Sequence, residues 1–421
     1  MLTEGNRKQL LVSVSEGVTK SFSDTHLRWI DWPSVVDRHS GAILSATSDE
    51  AFELAVKKLL DELKSSHVGF YHEGLKRSSA KMAICATYAP YPDPGGERWI
   101  FQDVHEGGPA ATAGIRPGDI LLSVKGRAFR PPEHPAFPIG ETVPVTVLTK
   151  GEEEKTCSVV IPAVKQKLNQ LPQVLPKPLV SHRRINHEIG YIKIAAYPGV
   201  VGIDVANDMV RAVERLNPFG RLIIDLRGNS GGGGAFLRLL SLLTPERLTV
   251  GSFSRQGFIR GSAKGEGSFV FDRIPANQIE LYLTIVRFGA QWLTQIALGR
   301  DLSVTVVTEG RGQQPFHGRV VLLVNRHTSS ANEMVIAAAR ESKLAVTVGE
   351  HTPGRLLEGT EFKVGFGYRL VLPKRSFQST GNDPVEGRPI PPDFLSEFDH
   401  TQIQAGHDTQ LEKAIEVVSR L

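Results

Sequence analysis

The stretch Arg319–Ser342, RVVLLVNRHTSSANEMVIAAARES, holds one complete strand-to-helix step. The apolar run up to Val324 reads as a buried strand and the run after Ser330 as a helix, so residues 325–330 must turn the chain between them. Two serines fall on that turn. Ser330-Ala-Asn-Glu333 fits the S-x-x-E capping box, in which hydroxyl and carboxylate satisfy the free amides of a helix start. The same position suits a nucleophile, because such a turn exposes the hydroxyl and the helix dipole favours negative charge developing beside it. On these residues alone both readings stand.

Working outward, strands and helices alternate: IGYIKIAAY, IDVANDMVRAVERLN, RLIIDLRG, an apolar helix from Ala235, then the quoted stretch and AVTVGE. That order predicts stacked β-α units on a largely parallel sheet, a core over 181–421 closed by the amphipathic tail helix GHDTQLEKAIEVVSRL. Between its halves, PERLTVGSFSRQGFIRGSAKGEGSF suggests β structure and QIELYLTIVRFGAQWLTQIALG a helix. DLRGNSGGGG, Asp225–Gly234, is the second unusual stretch. Consecutive glycines cost chain entropy, so some gain must offset them. A phosphate loop is disfavoured, because no Gly-Lys-Ser/Thr follows and Ala235–Leu243 is apolar. Bare amides near Gly231 and Gly232, aimed at an oxyanion beside a serine on the neighbouring strand, account for them better. Asp225 and Arg227 are expected to pair and to position this loop.

Residues 1–78 read as a helical N-terminal cap. In SDEAFELAVKKLLDELKSSH, Phe52, Val56, Leu59, Leu60 and Leu63 recur at helical spacing behind a Ser48 or Asp49 cap, with an end near SSHVGF. From 79 to 165 the texture changes to short β-like runs, KMAICATYA, RWIFQDV, DILLSVKG, TVPVTVLTKG and KTCSVVIP, separated by Gly and Pro. A Pro-rich linker, 166–180 with QLPQVLPKPLV, leads into the core. The fold class is therefore α/β and multidomain.

Composition narrows the function. The 421 residues are 40% hydrophobic and 22% charged with a formal charge of +4, and Lys and Arg gather in no block, so nucleic acid and anionic membranes are not expected partners. Cys85 and Cys157 lie in apolar or β-like contexts away from other ligand-type residues, and are expected to be buried free thiols, with no metal. With neither a signal-like h-region nor a long apolar run, a soluble, cytoplasmic chain is expected, or an exported one if a leader has been removed.

FQDVHEGGPAATAGIRPGDILLSVKGRAF resembles a PDZ domain in its GPA, AGI and GDxLxxV elements. The resemblance implies that 79–165 forms a PDZ-like module whose sheet edge takes extended peptide tails. RLIIDLRGNSGG, VLLVNRHTSSANEMVIAAA, VGEHTPGR and VEGRPIPPD, in this order, resemble the tail-specific or carboxy-terminal processing serine peptidases, whose relatives include the tricorn core. That likeness implies Ser330 as nucleophile and an oxyanion hole from the Ala331 amide with that of Gly231 or Gly232, with no cofactor. One departure matters. The lysine base of the processing peptidases is replaced by Arg355, whose guanidinium cannot accept a proton, and the glutamine that follows it by Gly359. The tricorn branch instead uses a Ser-His pair at the end of the cap and a late glutamate, which match Ser66, His67 and Glu386. On that resemblance His67 is the base, Glu386 orients it and Ser66 assists. His327, three residues before Ser330, is expected to be structural, with the alternative that it is the base in place of His67; His72 is a weaker candidate for that role. Arg355 is expected to bind a substrate carboxylate or to hold a structural charge pair.

The expected function is a serine endopeptidase acting on protein or peptide substrates through an acyl-enzyme on Ser330, with the PDZ module presenting tails or gating access. A homo-oligomer is compatible with it. The alternatives are an inactive peptide- or apolar-ligand-binding protein of the same fold, as in retinoid-binding relatives, or a PDZ scaffold.

Overall fold

The computed structural model describes residues 2–21, 30–74, 76–164, 172–216, 219–255, 269–298, 303–310, 316–381 and 385–421. Parts of the expected linker (165–171) and of the expected β segment (256–268) lie outside the described residues.

Three helices, Glu4–Ser21, Trp32–Leu44 and Asp49–Asp61, form the cap. Ser48 is the N-cap of the third, its hydroxyl accepting from the Ala51 amide. Their apolar stripes, with Leu10, Val14, Phe52 and Leu59 fully buried, close on Leu370 and Leu372 of the core, so the cap shares its interior with a core strand. Helical structure stops well before residue 78. Gly69–His72 is a strand, paired antiparallel with Tyr368–Val371. The GFYH backbone finds its partners in that strand, and Phe70 stacks on Tyr368 with ring centroids 4.9 Å apart. Everything immediately before it, including Ser66 and His67, is therefore tied to the core.

The PDZ-like module is a five-stranded antiparallel sheet in the order Ala86–Tyr91, Arg98–Val104, Ile120–Val124, Thr142–Leu148, Glu154–Val160. Its own core includes Phe101, Ile115, Phe137 and Val145, all fully buried. KMAICATYA, expected as one strand, is a helical turn Ala80–Ala83 followed by the strand Ala86–Tyr91. Cys85 at φ 58° supplies the reversal that a continuous strand could not make. Both cysteines are free and buried.

In the core the strands run in the order Phe394–Leu395, Val346–Gly349, Arg319–Val324, Arg221–Asp225, Ile189–Ile194, Val180–Arg184, all parallel except the last. Helices Ile203–Leu216, Phe236–Leu243 and Ala331–Glu341 cover one face. The tail helix Thr409–Arg420 covers the other through Ala414, Val417 and Val418. A second, mainly antiparallel sheet built on Tyr368–Ser379 also takes Gly69–His72, Leu357–Gly365, Thr249–Arg255, Val304–Val307 and Phe269–Phe271. The sequence texture did not foretell it, because its strands come from distant segments. In a parallel sheet with helices on its faces, functional groups gather beyond the carboxyl ends of the strands. Here those ends carry Asp225, Asn325 and Glu350.

Two polar knots form there. Asp225, almost fully buried, accepts from Arg227 Nη2 at 2.8 Å, Lys193 Nζ at 3.0 Å and the Tyr191 hydroxyl at 2.7 Å, while Arg227 also grips Asp408 with two bonds of 2.8 Å. The second knot docks the PDZ-like module: Asn325 Nδ2 donates to Asp103 at 3.0 Å and Gln102 Nε2 to Glu350 at 2.5 Å. Burial alone would push the Asp225 carboxyl up, but Arg227 and Lys193 outweigh it and hold it well below the usual range. Its contribution to stability is therefore complete above pH ~4 and is lost as pH falls through the depressed value. Replacing Arg227 by Ala leaves two carboxylates short of a partner and is expected to cost about 3–5 kcal/mol. Denaturant unfolding at neutral pH reads this, with the deficit shrinking in acid.

Candidate active site

Ser330 sits at φ 58°, ψ −120°, a conformation that glycine adopts freely and other residues rarely. Its surroundings hold it there. The Ser330 amide donates to Glu333 Oε2 at 2.9 Å and lies 3.1 Å from the Arg355 carbonyl. Glu333, fully buried in the first turn of the helix, accepts three further bonds: from the Thr352 hydroxyl at 2.7 Å, the Gly354 amide at 2.7 Å and the Arg355 amide at 2.9 Å. The carboxylate half of the capping box therefore binds the nucleophile turn to the loop 352–355.

The glycine loop closes on the same turn. A Cβ on Gly231, whose φ is +86°, would lie 2.7 Å from the Ala331 amide nitrogen and 2.9 Å from Ser330 Cβ. A side chain there would fill the space in front of that amide. Gly232, at φ +130°, backs onto the Tyr197 carbonyl, which a Cβ would meet at 2.1 Å. The Gly231 amide is spent on Asn229 Oδ1 at 2.8 Å. Asn229 is the loop's anchor: fully buried, it donates from Nδ2 to the Ile194 carbonyl, and its own carbonyl accepts from the Ser329 amide and from Asn332 Nδ2.

On the cap side, Ser66 stands between His67 and Glu386. The Ser66 hydroxyl donates to Glu386 Oε2 at 2.8 Å and meets His67 Nδ1 at 2.8 Å, while the Ser66 amide donates to Glu386 Oε1 at 2.8 Å. One hydroxyl carries one proton. Because that proton points at the carboxylate, Nδ1 must donate to Ser66 Oγ, which leaves Nε2 as the unprotonated nitrogen. Glu386 thus orients the imidazole through Ser66; the direct carboxylate contact expected on the far nitrogen does not form. Leu356, next to Arg355, donates its amide to Glu386 Oε2 at 2.8 Å, so the relay and the Ser330 turn share one loop. No hydrogen bond joins Ser330 and His67 directly. The His67 ring runs beside Gly359, whose Cβ would touch His67 Cβ at 3.5 Å and Cδ2 at 3.8 Å. A glutamine there would compete with the ring for space.

Burial lowers the His67 pKa, Glu386 opposes the shift and Arg355 adds to it. Among the described residues no carboxylate pairs with the Arg355 side chain, which is exposed. His327 points away: its Nε2 is 3.0 Å from the Tyr88 carbonyl of the PDZ-like module, and burial pushes it down to about 4. His72 lies on the Gly69–His72 strand against Tyr368, outside the site. Sequence reasoning read Glu333 only as a helix cap and passed over Asn229 and Lys81. Lys81 Nζ lies 3.4 Å from the His327 carbonyl, and burial pushes its amine down to about 7, with Asp103 opposing and Arg355 adding. A lone lysine in the small apolar run AKMAICA was the available signal.

Glu333→Ala removes the acceptor of four donors and is expected to cost about 2–4 kcal/mol, as an uncompensated loss of buried charge-assisted bonds. Thermal unfolding measures it. Glu333→Gln, whose carboxamide NH2 faces donors where an oxygen accepted them, is expected to recover less than half.

Residues 188–396 match the profile of peptidase family S41, and residues 100–137 that of the PDZ domain. The chain is 22% identical over 370 residues to carboxyl-terminal-processing peptidase 2 of Arabidopsis thaliana, covering 82% of this chain and 60% of that protein. It is 24% identical over 372 residues to tricorn protease homolog 2 of Streptomyces coelicolor, covering 84% of this chain and 27% of that protein. The chain therefore spans less than two thirds of these relatives' own lengths. Among solved structures, the photosystem II D1 C-terminal processing protease superposes with a TM-score of 0.54 at 17% identity, over 99% of this chain and 98% of the other, a likeness of fold. With the S41 profile over residues 188–396, a PDZ profile ahead of it and carboxyl-terminal processing peptidases among its relatives, the chain belongs to peptidase family S41.

Proposed function

We propose that the protein is a serine endopeptidase in which Ser330 is the nucleophile and His67 the general base. The observation that carries this reading is the Glu386–Ser66–His67 relay, which leaves Nε2 free to accept a proton and ties it to the loop that holds the Ser330 turn. A peptide carbonyl enters between Ser330 and the glycine loop. As Oγ attacks, its proton passes to His67 Nε2 and the carbonyl oxygen becomes an oxyanion. The Ala331 amide and, because the Gly231 amide is already engaged, the Gly232 amide are assigned to that oxyanion. His67 then gives the proton to the leaving amine, and water hydrolyses the acyl-enzyme by the same route in reverse.

Arg355 takes two tasks in this proposal. Its unpaired guanidinium is placed to receive a carboxylate of the substrate, and its charge favours neutral His67. The PDZ-like module supplies a sheet edge for peptide tails, so substrates are proteins or peptides. A second reading is favoured by Lys81, an amine lowered to about 7 that the module delivers beside the nucleophile turn; there it would replace His67 as base.

A fluorophosphonate probe separates these readings. Labelling is expected to vanish in Ser330→Ala, to fall at least about a hundredfold in His67→Ala, and to stay within about tenfold in Lys81→Met. Loss in Lys81→Met with retention in His67→Ala would move the base to Lys81, and no labelling of the wild type would favour a binding protein. The base must be neutral, so labelling rate falls as pH drops through the His67 value, below the ordinary 6.5. Arg355→Met removes one of the two causes that lower it, and is expected to move that acid limb upward.

A further inference from the structure

We propose that the helix Gln278–Ala297 pairs with the same helix of a second copy of this chain, antiparallel and centred on Val286. Among the described residues, the contacts of this helix lie on one side. Phe288 and Trp292 pack on Phe269, with ring centroids 6.2 and 5.7 Å away, and the Arg375 guanidinium covers Trp292 at 5.6 Å. This inward stripe is polar at Thr284 and apolar at Leu281, Phe288 and Trp292, all partly buried.

The opposite face carries a second apolar stripe. Ile279, Val286 and Leu293 recur every seventh residue, and Tyr282 and Leu283 fall between them in the next positions of the same seam. These five side chains are 74%, 53%, 69%, 68% and 60% exposed, in that order. A single-partner surface helix has one apolar stripe and a polar back; a helix with two opposed stripes is built to be covered twice. The five leave roughly 500–600 Å² of apolar surface per copy, near the largest patch tolerated on a monomer and near the low end of specific dimer interfaces.

A second copy fits because the stripe complements itself. About a twofold axis at Val286, Ile279 faces the other copy's Leu293, Tyr282 faces Ala290 and Leu283 faces Gly289, so each large side chain meets a small one or an aliphatic partner. The helix bears only Glu280 and Arg287 as charges, which leaves little to select a partner of opposite charge. It also lacks the row of basic residues by which a helix lies on an anionic membrane.

Sedimentation velocity of the full chain tests this over about 1–100 μM, the range for a small apolar interface. A concentration-dependent dimer is expected in the wild type. Val286→Glu and Leu293→Glu are expected to weaken it at least about tenfold, with fluorophosphonate labelling per chain unchanged. The register is read by disulfides, which the buried native cysteines leave undisturbed. Val286→Cys should cross-link to itself, Ile279→Cys alone should not, and the double variant Ile279→Cys/Leu293→Cys should. A monomer at every concentration overturns the proposal. So does self-linking of the single variant Ile279→Cys, which would mean parallel pairing, where each seam position meets its own copy. Flotation with phosphatidylcholine–phosphatidylglycerol vesicles, lost in Val286→Glu while the chain stays monomeric, would reassign the stripe to a lipid surface.

Discussion

The buried carboxylate of Glu333 is the constraint on which the site depends. A helix start leaves amides without partners, and a serine at φ 58° needs outside support. Glu333 supplies both needs at once. Its two oxygens take the Ser330 amide and three donors of the loop 352–355, so the strained turn and the loop are one unit. The capping box and the nucleophile proposed at Ser330 are therefore compatible accounts of S-x-x-E. One residue of the box holds the other in an unfavourable conformation, and the cost of about 1–3 kcal/mol for such a conformation is met by charge-assisted bonds in a dry environment.

From that unit the geometry spreads in two directions. Toward the glycine loop, Asn229 ties the loop to the end of the strand Ile189–Ile194 and to the Ser329 amide, and Gly231 lets the two turns approach more closely than any Cβ would allow. Toward the cap, Leu356 holds Glu386, Glu386 holds Ser66, and Ser66 sets the tautomer of His67. Each link is a short polar bond from one backbone segment to the next. Such chains transmit position well, because partly or fully buried donors are costly to leave unpaired.

The PDZ-like module meets this assembly where the nucleophile strand ends. Asp103 accepts from the Thr87 hydroxyl within the module and from Nδ2 of Asn325, the first residue of the turn, and the His327 ring and Lys81 bridge the same seam. A shift of the module would act on the turn itself. The His67 relay stands on the second sheet through Gly69–His72 and meets the Ser330 turn through the loop that carries Arg355 and Leu356.

By itself the sequence determined what local chemistry can specify. The strand-turn-helix around Ser330, the glycine loop, the alternating core and the tail helix were all legible, since periodicity and turn residues act within a few positions of each other. The order of motifs carried the family likeness, and the Arg355 departure was readable because a guanidinium is always protonated. Only the tertiary structure decided which distant groups meet. The second sheet draws strands from both ends of the chain, and it fixes His67 to the core although the cap helices stop at Asp61. Placing Ser66 between Glu386 and the imidazole, and Asn332 Nδ2 on the Asn229 carbonyl, required the same information. Hydrogen bonds to residues hundreds of positions away leave no period in a sequence, because they are set by the folded backbone and not by neighbours along it.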